Sequence, residues 1–319
     1  MVRITQTSSD YLVCSLLTNW AGNAGLGKTS VEHLCQHNPT RVYLAARSKA
    51  KFDLAIAEIQ ATLPEGKTTS NIEYLEIDLS SLSSVGSAAK KVLAENERLD
   101  ILMNNAGVLA TPGLTSDGFE LQFGTNHIGH MYFTLLLLPL LVKTSSQGQN
   151  DVRIINLSSL AHKSAPPKGI LLEDDDGAKL KTTMKEYALF TRYGQSKLAN
   201  ILFTTQLAKR YPHILSVAIH PGAVSTNIGS SVVQSTWLLT LVRKLVDPLL
   251  KRSNDGVKNQ LWAATAKKEL IQNGKYYEPV GSLGGDSALA KNEKLSGELW
   301  DWTVKVLEAG GWWSREQAV

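Results

Sequence analysis

Apolar and polar positions along this chain follow two different periods. Short runs rich in β-branched and aliphatic residues occur at Leu12–Thr18, Arg41–Ala46, Ile72–Ile77, Leu99–Met103, Val152–Leu157 and Ile214–His220. Runs of this length and composition predict buried strands. Between them apolar residues recur at helical spacing. Lys49–Leu63 carries Phe52, Leu54, Ile56, Ile59 and Leu63, and Gln195–Arg210 carries Leu198, Ile201, Leu202 and Leu207. Ser81–Glu97 opens on serines able to cap a helix and continues through Val85, Ala88, Ala89, Val92 and Leu93. The run Tyr132–Val142 is apolar all round, contains Pro139 and is too short to span a bilayer, so it predicts a core helix. Strand–helix alternation builds crossover units, and these predict an α/β chain with a parallel sheet covered by helices on both faces.

Nothing in the sequence separates two domains, so residues 1–319 are expected to form one unit. Residues 11–226 hold the alternating core, and 227–319 form a C-terminal part. Within that part Ser231–Leu250 mixes Trp237, Leu238, Leu239, Leu241, Val242 and Leu245 with Arg243 and Lys244. Such a stretch suits a helical lid over an apolar pocket, with a membrane surface as the alternative. Tyr276-Tyr277 predicts a late strand and Gly297–Leu307 a closing helix.

Composition narrows the classes further. The 319 residues are 43% hydrophobic and 19% charged, which excludes a disordered or collagen-like chain. The net charge of +4 is too small for the basic stripe of a nucleic-acid binder. The two cysteines, Cys14 and Cys35, form no ligand or disulfide pattern, so a reducing, cytoplasmic setting is the expectation. His127, His130, His162 and His220 share no metal-ligand spacing, and no metal is expected. Ser159 lies in no GxSxG elbow, which argues against a hydrolase.

The ends of the predicted strands carry the candidate chemistry. After the first comes Ala21-Gly22-Asn23-Ala24-Gly25-Leu26-Gly27-Lys28, a glycine-rich turn opening a helix. Such a turn lets backbone N–H groups and the helix dipole meet a pyrophosphate, as in a Rossmann dinucleotide site. About 20 residues past Gly27, where NAD sites place a carboxylate, stands Arg47. A guanidinium there, with Lys28 nearby, suits a 2′-phosphate, so NADP(H) is expected over NAD(H). Further along lie Asp78, then Asn104-Asn105-Ala106-Gly107, then Ser158-Ser159. Tyr193 and Lys197 are four residues apart and share one helix face. An ammonium beside a phenol is expected to draw the tyrosine pKa down toward neutrality. The sixth strand runs out into Pro221-Gly222-Ala223-Val224-Ser225-Thr226.

In this order the motifs resemble the short-chain dehydrogenase/reductase family, over roughly Leu12–Thr226. Phe123–His130, Arg153–His162 and Tyr193–Phe203 are similar to the retinol-dehydrogenase branch and to fungal biosynthetic reductases of secondary metabolism. The resemblance implies a single doubly wound Rossmann domain with a C-terminal substrate lid. It implies an oxidoreductase moving a hydride between NADP(H) and the carbonyl/alcohol group of an apolar small molecule.

By the same resemblance Tyr193 is the proton donor or acceptor, and Ser159 hydrogen-bonds the reacting oxygen. Lys197 lowers the Tyr193 pKa and holds the nicotinamide ribose, and Asn126 anchors a relay water. Gly25, Leu26, Gly27, Lys28, Arg47, Asp78, Asn105, Ala106, Gly107, Val224 and Thr226 would bind cofactor. A homodimer follows by analogy. The sequence departs from the family in two places. Trp20 and Ala21 replace the Thr and first Gly of the usual loop, and the Ser159–Tyr193 segment is lengthened by Pro166-Pro167 and Glu173–Asp176. A cofactor-binding sensor or scaffold without turnover is the rival reading.

Overall fold

The computed structural model describes residues 12–16, 25–37, 39–147, 151–172, 178–222, 253–285, 287–314 and 316. Seven parallel strands form one sheet in the order β3-β2-β1-β4-β5-β6-β7, closed by an antiparallel β8. The strands are β1 Leu12–Leu16, β2 Arg41–Ala46, β3 Ile72–Glu76, β4 Ile101–Asn104, β5 Arg153–Leu157, β6 Leu215–Ile219, β7 Tyr276–Glu278 and β8 Ser282–Leu283. The six predicted strands are all present, each at or within a few residues of its predicted bounds. The late strand at Tyr276-Tyr277 is there too.

Two helical layers cover the sheet. Helices α1 (Leu26–Cys35) and α2 (Lys49–Thr62) lie on one face with α7 (Ser253–Thr265), over a core that includes Leu34, Ile59, Met103, Val217 and Val257. The other face carries α3 (Leu82–Glu95), α5 (Gly129–Ser146), α6 (Leu189–Arg210) and α8 (Glu293–Ala309), over Val85, Phe133, Leu141, Leu202 and Leu299. The order of the sheet reverses between β1 and β4. That is the switch point at whose carboxyl end such sheets bind ligands.

Local chemistry sets the helix bounds. Ser48, Ser81 and Asn292 cap α2, α3 and α8 through their side chains. Ser81 is one of the serines expected to cap α3. The closing helix therefore starts at Glu293, ahead of the predicted Gly297, and α6 starts at Leu189, ahead of the predicted Gln195. Pro139 sits inside α5, and the apolar run it interrupts is buried as predicted. The helical stretch Leu121–Ser146 is apolar and long enough to cross a membrane by composition. With 72% of its apolar window buried inside the protein, it serves here as a core element.

The C-terminal region does more than the substrate lid expected of 227–319. Helix α7 packs against α1, β5 and β6, and α8 packs along α6, so both complete the helical layers. The lid candidate Ser231–Leu250 lies outside the described residues.

Candidate active site

Most of the described candidate residues lie at the carboxyl edge of the sheet, because they follow a strand or open the helix after one; Tyr193 and Lys197 lie within α6 and Asn126 in a turn before α5. Gly25, Leu26, Gly27 and Lys28 begin α1, Arg47 follows β2 and Asp78 follows β3. Asn105, Ala106 and Gly107 follow β4, and Ser158-Ser159 follow β5. Trp20, Ala21, Gly22, Val224 and Thr226 lie outside the described residues.

Unlike α2, α3 and α8, helix α1 has no side-chain cap: Gly25 stands at its N-cap with an extended backbone, and no acidic residue occupies the first turn. Its first N–H groups and its dipole therefore suit an anion. Lys28 was expected to face a phosphate. Its Nζ instead meets the Glu58 carboxylate of α2 at 2.5 Å, a tertiary ion pair that sequence spacing does not reveal. Asp78 turns back on its own loop, where its Oδ1 accepts from the Ser80 N–H at 2.9 Å and the Ser80 hydroxyl at 2.6 Å. The Ser84 hydroxyl oxygen accepts the Asp78 N–H at 2.9 Å.

The catalytic candidates are tightly built. Ser158 and Ser159, adjacent alternatives by sequence, are separated by geometry. The Ser158 hydroxyl is buried and donates to the Lys197 carbonyl at 2.7 Å. The Ser159 side chain lies close enough to the Tyr193 phenol to lower its pKa, while its Oγ accepts the Ala161 N–H at 3.2 Å. Lys197 Nζ lies 5.5 Å from the centre of the Tyr193 ring and donates to the Leu157 carbonyl at 3.1 Å. Asn200, one turn further along α6, donates to the same carbonyl at 2.9 Å.

The expected fall of the Tyr193 pKa is not what the protein alone produces. Burial pushes the phenol up to about 12, against the lowering effect of Ser159. Burial also pushes the Lys197 ammonium down to about 8. The same low-dielectric surroundings penalise both charged forms, and the lysine spends a hydrogen bond on a backbone carbonyl, so desolvation outweighs the attraction between them.

Asn126 lies in a π-helical turn, Gly124–Ile128, between α4 (Leu121–Phe123) and α5. Such turns are rare and concentrate at functional sites. Its amide is fully engaged. Oδ1 accepts from the Val108 N–H at 2.7 Å, and Nδ2 donates to the Val108 carbonyl at 3.0 Å and to Ser196 Oγ at 2.9 Å. The side chain thus clamps the loop after β4 to α6. A relay water would have to use its backbone carbonyl, which already faces His130 Nδ1 at 2.9 Å. A methyl group at Gly107 would come within 3.1 Å of Asn126 Oδ1 and 3.4 Å of Lys197 Nζ. The bare backbone there leaves a cradle beside the lysine, which fits the ribose and nicotinamide of a bound dinucleotide.

Several further residues support the site. Gln260 of α7 donates to Asn105 Oδ1 at 2.8 Å. Asn104 bridges Thr134 Oγ1 and Asn156 Oδ1 beneath the site. Glu120 is fully buried and caps Phe123 with Oε2. Gln122 joins two segments of the site. Of these, Asn104 belongs to the Asn104–Gly107 motif, while Gln122 stands four residues before Asn126 on one helical run, a spacing that any polar position can share.

The histidines do structural work. Burial lowers His127 to about 3, His130 to about 4 and His220 to about 4. The His162 ring packs edge-on against Tyr276, 5.1 Å between centres. Among the described residues no metal-binding group of three His, Cys, Asp or Glu occurs. Cys35 is buried, and its thiol is pushed up to about 12.

Comparison with known proteins agrees with this geometry. The short chain dehydrogenase family profile matches residues 20–171. A short-chain dehydrogenase/reductase, drtF, of Aspergillus calidoustus is 35% identical over 300 residues, covering 90% of this chain and 91% of its own length. Retinol dehydrogenase 12 of Mus musculus is 36% identical over 290 residues, covering 89% of this chain and 84% of its own. Among solved structures, an uncharacterized protein from Mycobacterium Paratuberculosis superimposes with a TM-score of 0.67 at 28% identity, covering 94% of this chain and 93% of that one. An NADPH-bound carbonyl reductase from chicken fatty liver has the same fold, with a TM-score of 0.60 at 22% identity over 85% of this chain and 97% of that one. With an α/β doubly wound sheet, the ordered strand-end motifs and relatives of this identity and coverage, the chain belongs to the short-chain dehydrogenase/reductase family of oxidoreductases.

Proposed function

We propose that this protein interconverts a carbonyl and an alcohol on an apolar small molecule, with NADP(H) as its cofactor. The observation that carries the reading is the convergence of Ser159, Tyr193 and Lys197 at the carboxyl edge of the sheet. The nicotinamide supplies or accepts the hydride. The chain's own residues bind, orient and move the proton. Tyr193, half-buried and protonated, gives its phenolic proton to the carbonyl oxygen during reduction and takes one back from the alcohol during oxidation. Ser159, beside that phenol, holds the reacting oxygen. Lys197, with its ammonium pushed down to about 8, is poised to return a proton to the tyrosine near neutral pH.

The bare helix start at Gly25–Gly27 would hold the pyrophosphate, Asp78 the adenine and Asn105–Gly107 the nicotinamide ribose. Val224 and Thr226 would hold the carboxamide. Because Lys28 is drawn to Glu58, recognition of a 2′-phosphate rests on Arg47. The apolar substrate is supported by Leu160, next to Ser159, and by Phe190, one turn before Tyr193 and 6.3 Å from it between ring centres. Both are exposed, as is Val280 just past β7. Buried inside the protein, Leu121–Ser146 is a core helix rather than an exposed apolar span.

A fluorescence titration with NADPH and NADH tests the cofactor reading on wild type and Arg47→Asp. Wild type is expected to prefer NADPH and the variant to lose that preference. A preference that survives the substitution removes Arg47 from the site.

A further inference from the structure

Asn126 ties the loop after β4 to α6, and Gln122 repeats the connection one turn earlier. Gln122 is fully buried. Its Oε1 accepts the Ala110 N–H at 2.8 Å, and its Nε2 donates to the Leu189 carbonyl at 3.0 Å. Residues 122 and 126 are four apart on one helical run, and their partners in the loop, Ala110 and Val108, are two apart. The two amides therefore stand as parallel rungs between the same two segments.

Both rungs end on the backbone of the tyrosine. Ser196, which receives the Asn126 amide, donates its hydroxyl to the Tyr193 carbonyl at 2.8 Å. Leu189 is the first residue of α6, and in α-helical bonding its carbonyl is the acceptor for the amide four residues on, which is that of Tyr193. At the loop end, Ala110 has a backbone φ of 51°, a left-handed conformation unfavourable for any residue with a side chain. A strained residue persists where its surroundings over-determine it, and here the Gln122 hydrogen bond holds it.

We propose that Gln122 is a positioning residue of the active site: it fixes the cofactor-lining loop after β4 and the backbone of Tyr193 in one register, as the second rung beside Asn126. It touches neither substrate nor cofactor and acts through Ala110 and Leu189. The proposal rests on the reading of Tyr193 as the proton donor, but the ladder itself is a property of the protein alone.

The test replaces Gln122 by Met, which keeps the volume and removes both hydrogen bonds. Gln206→Met is the control, because Gln206 is a buried glutamine of α6 that reaches Ser296 of α8 and lies away from the site. Amide exchange by mass spectrometry is read in peptides covering 107–111 and 189–193, followed by NADPH-dependent reduction of aldehydes. Gln122→Met is expected to raise exchange in both peptides together by about tenfold, as loss of the hydrogen bonds implies. It is expected to lower kcat by about tenfold or more with NADPH affinity near wild type. The control is expected to change neither.

Exchange unchanged in either peptide, or a kcat equal to wild type, overturns the proposal. If the variant does not fold, native-state exchange of wild type decides. The amides of Ala110 and Tyr193 are then expected to open together, and independent opening overturns the ladder. If wild type reduces no carbonyl compound, the catalytic reading fails while the exchange measurement still decides the ladder.

Discussion

Gly129 lies where the two halves of the site press on each other. It is the first residue of α5, directly after the π-helical turn that carries Asn126. A methyl group there would fall 2.5 Å from the Leu79 carbonyl oxygen and 3.1 Å from Leu79 Cβ. Ordinary carbon–oxygen contacts lie near about 3.3–3.6 Å, so Gly129→Ala must part the two segments by nearly an ångström. Neither side yields readily, since Leu79 is buried and α3 packs against α5 in the same core. Overpacking of this kind costs about 1–3 kcal/mol. For a chain of this size that lowers the melting temperature by about 2–5 °C.

The displacement also has a functional direction. Leu79 adjoins Asp78, and Gly129 follows the turn holding Asn126, so NADPH binding should weaken along with stability. The assay is a thermal melt paired with an NADPH titration. Gly297→Ala is the control, a mid-helix glycine of α8 with no atom within 4 Å of an added methyl, where alanine is expected to be neutral or stabilising. A Gly129→Ala protein that melts within a degree of wild type and binds NADPH equally would refute the packing argument.

Three further outcomes follow from the site. Ser158→Ala should lower stability by about 1–3 kcal/mol by leaving the buried Lys197 carbonyl short of its donor, whereas Ser159→Ala should lower kcat with little change in stability; single-variant melts and rates read the split. Burial pushes Glu120 up to about 7, with Arg192 and the Phe123 N–H opposing the rise. A carboxyl raised on folding stabilises fully below its unfolded value of 4.5, and that contribution is lost as pH climbs to the folded value. Unfolding of wild type should therefore lose about 3 kcal/mol relative to Glu120→Gln between these limits. The comparison with the variant is needed because His127, His130 and His220, held neutral by burial, act in the opposite direction over an overlapping range. Denaturant titrations across that range that show a constant difference would refute it.

Strand positions were legible because the mostly buried strands, such as β4, β5 and β6, read as short apolar runs, which need no tertiary information. Tyr193 and Lys197 were legible because a helical spacing of four places both on one face. Lys28 was not, because its partner Glu58 lies 30 residues away on another helix. The direction of the Tyr193 pKa was not either. Spacing shows that a lysine is near, but only burial shows how strongly both charges are penalised. The supporting amides, Gln122 and Gln260, look like ordinary polar positions in sequence. Their role comes from backbone groups brought to them by the fold, Ala110 and Leu189 in one case and the Asn105 side chain in the other.

The central claim is that Tyr193 transfers the proton in an NADP(H)-dependent carbonyl reduction. It is tested most directly by following NADPH oxidation with a panel of apolar aldehydes and ketones on wild type and Tyr193→Phe. The account predicts turnover by wild type and a loss of about 10²–10⁴-fold in the variant, with NADPH binding retained. An undiminished rate in Tyr193→Phe, or cofactor binding by wild type without turnover of any member of the panel, would contradict it.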